Sequence, residues 1–344
     1  MSRRSLTLAI AGLATVAAIA VAVLFPVPYV ILTPGPTLNT LGSDSSGQPL
    51  ISITGRQTYP TKGNLNMVTI SYQGGPGSNL NVFQAIGAWL DSSEAVVPQS
   101  ELFPPGQTQQ QTEKQDTQQM SSSQELATAA AFTQLHIKYQ TNVEVLATVP
   151  GYPASTVLKS GDIIKAVDGK PVTGASALSS MITASPAGTT LQLTVLRKGQ
   201  TLTLPVASKS SGGKAVIGVQ VQEQYQFPYN VKITVGNIGG PSAGMMFALG
   251  IIDKLTPTNL TGGKFIAGTG EITAAGQVQP IGGIQQKMVA ARNAGATVFL
   301  APAGNCSDTA GAVPAGLRVV KVSTLSGALS DLAALKAGKP VPSC

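Results

Sequence analysis

Twenty consecutive uncharged residues, Leu6 to Phe25 (LTLAIAGLATVAAIAVAVLF), stand near the start of this 344-residue chain and restrict what it can become. As an α-helix such a stretch rises about 30 Å, the thickness of a bilayer's hydrocarbon layer. Arg3 and Arg4 precede it and no basic residue follows until Arg56. That asymmetry predicts an inward N-terminus and an outward remainder. A cleaved signal peptide is the rival reading, because Ala18-Ile-Ala and Ala20-Val-Ala resemble cleavage sites. The length, and the lack of a polar region near the cut, favour an uncleaved anchor over residues 1–28. Both readings put the bulk of the chain outside the cytoplasm.

The length allows about two compact domains. Lys and Arg outnumber Asp and Glu by 22 to 15, yet no run of five basic residues occurs, so no nucleic-acid partner is expected. The two cysteines, Cys306 and Cys344, enclose roughly 37 residues. In an oxidising compartment they are expected to pair, worth about 4 kcal/mol by chain entropy, unless Cys344 frays as a free thiol. No phosphate loop, no H-E-x-x-H and no Cys/His cluster occurs, so neither ATP nor a catalytic metal nor any other cofactor is expected.

Beyond the anchor, short apolar runs punctuated by Gly74-Gly-Pro-Gly77 predict a small β-rich segment over residues 29–97, with a helix near Val82 to Leu90. Residues 98–123 are polar and rich in Gln and Ser, and read as a linker or mobile surface excursion. A connecting helix is expected within 124–142, from Gln124 to about Leu135. Next come Val149-Pro-Gly-Tyr-Pro-Ala154, Leu158-Lys-Ser-Gly-Asp-Ile-Ile164 and Val167-Asp-Gly-Lys-Pro-Val172. Asp168-Gly169 predicts a tight hairpin turn, Leu191 to Leu196 alternates as a strand, and Leu178, Met181 and Ile182 give a helix one apolar face. These runs resemble the PDZ domains of bacterial envelope proteases, which implies a PDZ domain over 143–208. Such domains bind peptides by adding a strand to a sheet edge. No Gly-Leu-Gly-Phe-like run precedes Val143, so peptide or loop binding is expected in preference to capture of a terminal carboxylate.

The last third carries the sharpest pattern. Gly239-Gly-Pro-Ser-Ala-Gly244 opens an apolar helix, and Ala267-Gly-Thr-Gly-Glu-Ile-Thr273 leads through Gly276-Gln-Val-Gln-Pro-Ile-Gly-Gly283 into a helix bearing Lys287. On that helix Lys287 shares the face of Ile284, Met288 and Ala291. A lysine inside an apolar stripe either snorkels outward or loses solvation, and desolvation favours the neutral amine that a general base requires. Ser242, behind Pro241 and before Ala243 and Gly244, reads either as a plain N-cap or as a nucleophile beside unpaired helix N–H groups.

Order and spacing of these segments resemble the proteolytic domain of the Lon family, expected over 225–340. With the PDZ module and the anchor, the chain resembles the PDZ-containing, Lon-like secreted proteases of Gram-positive bacteria. The resemblance makes Ser242 the nucleophile and Lys287 its base. It implies a supporting hydroxyl at Thr269 that orients the Lys287 amine, and support from Gly240, Pro241, Ala243 and Gly244. Glu271 is either a further supporting residue or a structural turn carboxylate, and Gly282 and Gly283 are expected to let the chain turn into the lysine helix. Rings are common among Lon-type domains, so a homo-oligomer is an open expectation.

Gly240-x-Ser242-x-Gly244 also fits the nucleophile elbow of α/β-hydrolases, but that family needs a later histidine, and the only one, His136, comes earlier. A PDZ scaffold on an inactive protease fold is the remaining alternative. The expected fold is α+β: a transmembrane helix, a β-rich segment, a PDZ domain and a Lon-type α+β proteolytic domain. The expected function is an ATP-independent serine endopeptidase of the cell envelope, acting on unfolded or exposed segments.

Overall fold

The computed structural model describes residues 3–44, 46–78 and 80–344. The chain divides into two compact units, one made of the chain up to Ile137 together with Tyr229–Cys344, the other of Lys138–Pro228. The first begins with helix Arg3–Leu24, the one helix among the described residues long and apolar enough to cross a membrane. None of it is buried by protein.

The first unit is built on a six-stranded sheet in the order Arg318–Val322, Val298–Pro302, Phe265–Gly268, Asn64–Gly74, Tyr29–Asn39, Ala95–Pro98. The first four strands are parallel and the last two pair antiparallel. Val298–Pro302 is buried at every position, as a strand covered on both faces should be. Ala267 packs with Ile284 and Met288 of helix Ile284–Asn293. A Cβ on the next residue, Gly268, would meet Met246 Sδ of helix Gly244–Leu255 at 2.7 Å. Successive strand residues face opposite sides, so the two helices cover opposite faces of the sheet. Helix Gly244–Leu255 is buried everywhere except at Lys254, enclosed by the sheet and by helices Gln109–Gln134 and Leu325–Lys336.

The strands of residues 29–97 thus do not form a separate segment. They complete the sheet of the C-terminal half, because Asn64–Met67 pairs in parallel with Phe265–Gly268, a partnership between distant segments that periodicity cannot reveal. Residues 98–123 are not a linker either. Most of them lie in a 26-residue helix, Gln109–Gln134, of which the expected Gln124–Leu135 helix is the second half. A capping box starts it, Thr108 accepting from the Gln111 N–H and Gln111 accepting from the Thr108 N–H. Its buried face is lined by Thr112, Met120, Ser123 and Ala127, too small and polar to register as an apolar stripe.

The second unit is an antiparallel sheet ordered Val219–Gln226, Gln140–Thr148, Ile163–Val167, Thr190–Arg197, Gln200–Ala207, with helix Ala175–Thr183 beside it. Its core joins Val143, Ile164, Leu178, Ile182, Leu191, Leu193, Val206 and Ile217. Asp168 and Gly169, at φ 48° and 75°, make the expected hairpin turn. The unit extends past the expected 143–208, because the edge strand Val219–Gln226 lies beyond that limit. That strand is entered through Val216-Ile-Gly-Val219.

Candidate active site

Ser242 lies on the loop leading into helix Gly244–Leu255, whose N-cap is the buried Ala243. Its carbonyl is held from the end of strand Phe265–Gly268: the Gly270 N–H donates to it at 2.7 Å and the Thr269 hydroxyl at 2.9 Å. The Met245 N–H donates back to the Gly270 carbonyl at 3.0 Å. On its other side the loop is tied to the long helix. The Gly240 N–H donates to the Asp116 carbonyl at 3.0 Å, and the buried Ser123 hydroxyl donates to the Pro241 carbonyl at 2.9 Å. The approach is so close that a Cβ on Gly239 would stand 2.5 Å from Asp116 Cβ, which only glycine permits. The N–H groups of Ser242 and Ala243 have no hydrogen-bond partner among the described residues.

Lys287 comes from the opposite face of the sheet, in the first turn of helix Ile284–Asn293. The helix starts from Gly283, left-handed at φ 66°, where a Cβ would meet Ile70 Cγ2 at 2.9 Å. Of the expected Gly282–Gly283 pair, only Gly283 takes that conformation. Lys287 is 3% exposed and its amine donates to Ser242 Oγ at 2.9 Å. Burial pushes the Lys287 amine from the usual lysine value down to about 8, partly opposed by the Glu271 carboxylate. Burial likewise raises the half-buried Glu271 carboxyl, and the nearby ammonium opposes that rise.

The structure therefore brings Ser242 and Lys287 together and sets Gly240, Pro241, Ala243 and Gly244 around the serine. Thr269 departs from expectation, since its hydroxyl donates to the Ser242 carbonyl and not to the lysine. Glu271 lines the same cleft as Ser242 and Lys287, about 1370 Å³ in volume. Two residues of the long helix, Asp116 and Ser123, escaped the sequence reading, although Thr108-x-x-Gln111 was a helix-start signal that would have led to them. His136, exposed and beyond the end of that helix, takes no part. Among the described residues no three His, Cys, Asp or Glu side chains gather as a metal site needs.

Residues 218–333 match the family model of the Lon protease (S16) C-terminal proteolytic domain, and residues 114–207 that of the PDZ domain. The latter match takes in part of the long helix and stops before the edge strand. The Lon protease of Campylobacter concisus (strain 13826) is 38% identical over 96 residues, 27% of this chain and 12% of that protein. The Lon protease of Roseiflexus castenholzii is 45% identical over 69 residues, 20% of this chain and 8% of that one. The chain thus spans no more than 12% of the length of these relatives. The crystal structure of a PDZ domain from an SdrC-like protein of Listeria innocua is 21% identical and covers 23% of this chain and 92% of its own, with a TM-score of 0.22. The chain carries a PDZ domain and a Lon-type (S16) proteolytic domain.

Proposed function

We propose that this chain is an ATP-independent serine endopeptidase of the cell envelope, held by Arg3–Leu24 in the membrane with both compact units outside, and that Ser242 and Lys287 form its catalytic dyad. The observation that carries the reading is the 2.9 Å contact between the amine of a buried lysine titrating near 8 and a serine hydroxyl. In the neutral amine this contact reverses, the hydroxyl donating to the nitrogen lone pair. As Oγ bonds to the scissile carbonyl carbon, Lys287 takes the hydroxyl proton. The carbonyl oxygen becomes an oxyanion, which the unpaired N–H groups of Ser242 and Ala243 stabilise. Collapse breaks the C–N bond and the Lys287 ammonium gives its proton to the departing amine. Water then repeats the sequence on the acyl-serine, with Lys287 again taking and returning the proton.

Thr269 and Gly270 act by holding the Ser242 carbonyl, which fixes where Oγ points. Protein substrates are selected at the free edge of strand Val219–Gln226, next to helix Ala175–Thr183, where an extended peptide adds a strand. The chain holds no nucleotide-binding phosphate loop, so substrates arrive already unfolded or with exposed segments.

A fluorogenic peptide and a serine-acylating probe test this together. Ser242→Ala and Lys287→Ala should each abolish hydrolysis while leaving the fold intact, and only the wild type should gain the probe's mass on Ser242. A folded wild type that neither hydrolyses the peptide nor takes the probe on Ser242 would instead indicate a PDZ scaffold without chemistry.

A further inference from the structure

Helix Val82–Leu90 turns its large apolar side chains outward. Phe83, Ile86, Trp89 and Leu90 are 50%, 49%, 76% and 75% exposed, whereas the inward face is made of Ala85 and Ala88, packed with Val27, Ile31, Leu80 and Val96. At about 100° per residue the four exposed side chains fall in one continuous stripe. Gly87 lies in that stripe too, and a Cβ there would meet nothing. The orientation is fixed by a capping box between Asn81 and Gln84 and by the buried alanines. A helix facing water carries the reverse arrangement, so this stripe is built for an apolar medium.

The path of the chain says which medium. Helix Arg3–Leu24 meets helix Val82–Leu90, and the Val27 N–H donates to the carbonyl of Leu80, the residue before the N-cap Asn81. Only three residue steps separate Leu24 from Val27, about 10 Å of fully extended chain. The chain at Leu80, just before the helix that carries the stripe, therefore lies within a little more than that distance of the point where the apolar helix ends. Its nine residues, VFQAIGAWL, carry no charge, and tryptophan is the side chain that settles at the boundary between headgroups and acyl chains.

We propose that the Phe83, Ile86, Trp89 and Leu90 face lies in the headgroup–acyl boundary of the bilayer crossed by Arg3–Leu24, a second membrane contact that holds the first unit against the surface. This rests on the membrane-anchor reading proposed above, and the two separate experimentally. Trp89 is the only tryptophan of the chain, so its fluorescence reports this face alone. The full chain is reconstituted in vesicles of phosphatidylcholine and phosphatidylglycerol in which some lipids carry bromine either near the headgroup end or near the tail end of the acyl chains. The expected result is emission shifted to shorter wavelength, protection from acrylamide, and loss of intensity to bromine that is greater for the headgroup-end label. In Phe83→Glu/Ile86→Glu that quenching should be lost while the protein still resists extraction by alkaline carbonate.

Carbonate-resistant wild type whose Trp89 is open to acrylamide and untouched by bromine would overturn the proposal. Trp89 shielded from acrylamide but untouched by bromine would also overturn it, assigning the face to a second copy. Extraction of the wild type by carbonate would overturn the anchor alone, and bromine quenching measured before extraction would still decide the face.

Discussion

At pH 7 a lysine that titrates near 8 is neutral about one time in ten, so in the proposed dyad Ser242 would have its base in a minority of molecules and hydrolysis should climb with pH. Glu271 sets how steep that handicap is, because its carboxylate favours the charged amine and raises the Lys287 value against the effect of burial. In Glu271→Gln the opposing charge is gone. The rising limb of kcat/KM should then move to lower pH than in the wild type, read from pH–rate profiles on one fluorogenic peptide. An unmoved limb would detach Glu271 from the lysine. Burial also has a cost in stability. Below about pH 8 both folded and unfolded chains hold the Lys287 proton, and the folded chain bears a desolvated charge. From about 8 to 10.5 the unfolded chain keeps the proton that the folded one has released, so stability rises with pH across that window. Lys287→Met should therefore abolish hydrolysis yet stabilise the fold by about 3 kcal/mol at pH 7, a gain that fades toward pH 10.5. Thermal melts of both proteins across pH measure it.

Helix Gln109–Gln134 is tied to the Ser242 loop through hydrogen bonds that no apolar pattern announces. Ser123→Ala would leave the Pro241 carbonyl without its donor, a loss of about 1–3 kcal/mol. Because that carbonyl belongs to the residue before Ser242, kcat should fall about tenfold with KM little changed, whereas the exposed neighbour Ser122→Ala should alter neither. Helices Val82–Leu90 and Ile284–Asn293 were legible from the sequence, since apolar residues at helical spacing announce both. The first half of the long helix was not, for its buried residues are only Thr112, Met120 and Ser123, and its Gln-rich exterior has the composition of a linker. Ser242 and Lys287 could be named from their motifs. The bond of the Thr269 hydroxyl to the Ser242 carbonyl was not legible, because a side chain meeting a backbone carbonyl 27 residues away leaves no spacing signal in the sequence.

The unit that carries Ser242 and Lys287 is interrupted in sequence and continuous in space, which explains why contiguous domain boundaries misread it. Strands from before Pro98 and after Phe265 share one sheet, while Lys138–Pro228 forms a unit with its own core. An insertion of this kind is tolerated when its two ends meet. Here they do: Gln140 pairs directly with Gln226 in the antiparallel register, and the rings of Tyr139 and Phe227 lie 5.5 Å apart. The remaining unit keeps the edge-to-face contact of Phe132 with Tyr229 at 6.2 Å, one from each side of the insertion. A short Gly/Ser linker can therefore replace residues 140–226 without stretching either flank, at little extra cost in loop entropy. The shortened protein should stay folded and hydrolyse a small fluorogenic peptide with kcat/KM within about threefold of wild type, a difference below 1 kcal/mol. Cleavage of an unfolded protein should fall at least about tenfold, because the edge strand Val219–Gln226 that would gather the substrate has been removed. Equal loss on both substrates, in a shortened protein whose melting remains cooperative, would assign the inserted unit to shaping the site at Ser242 instead of to substrate selection.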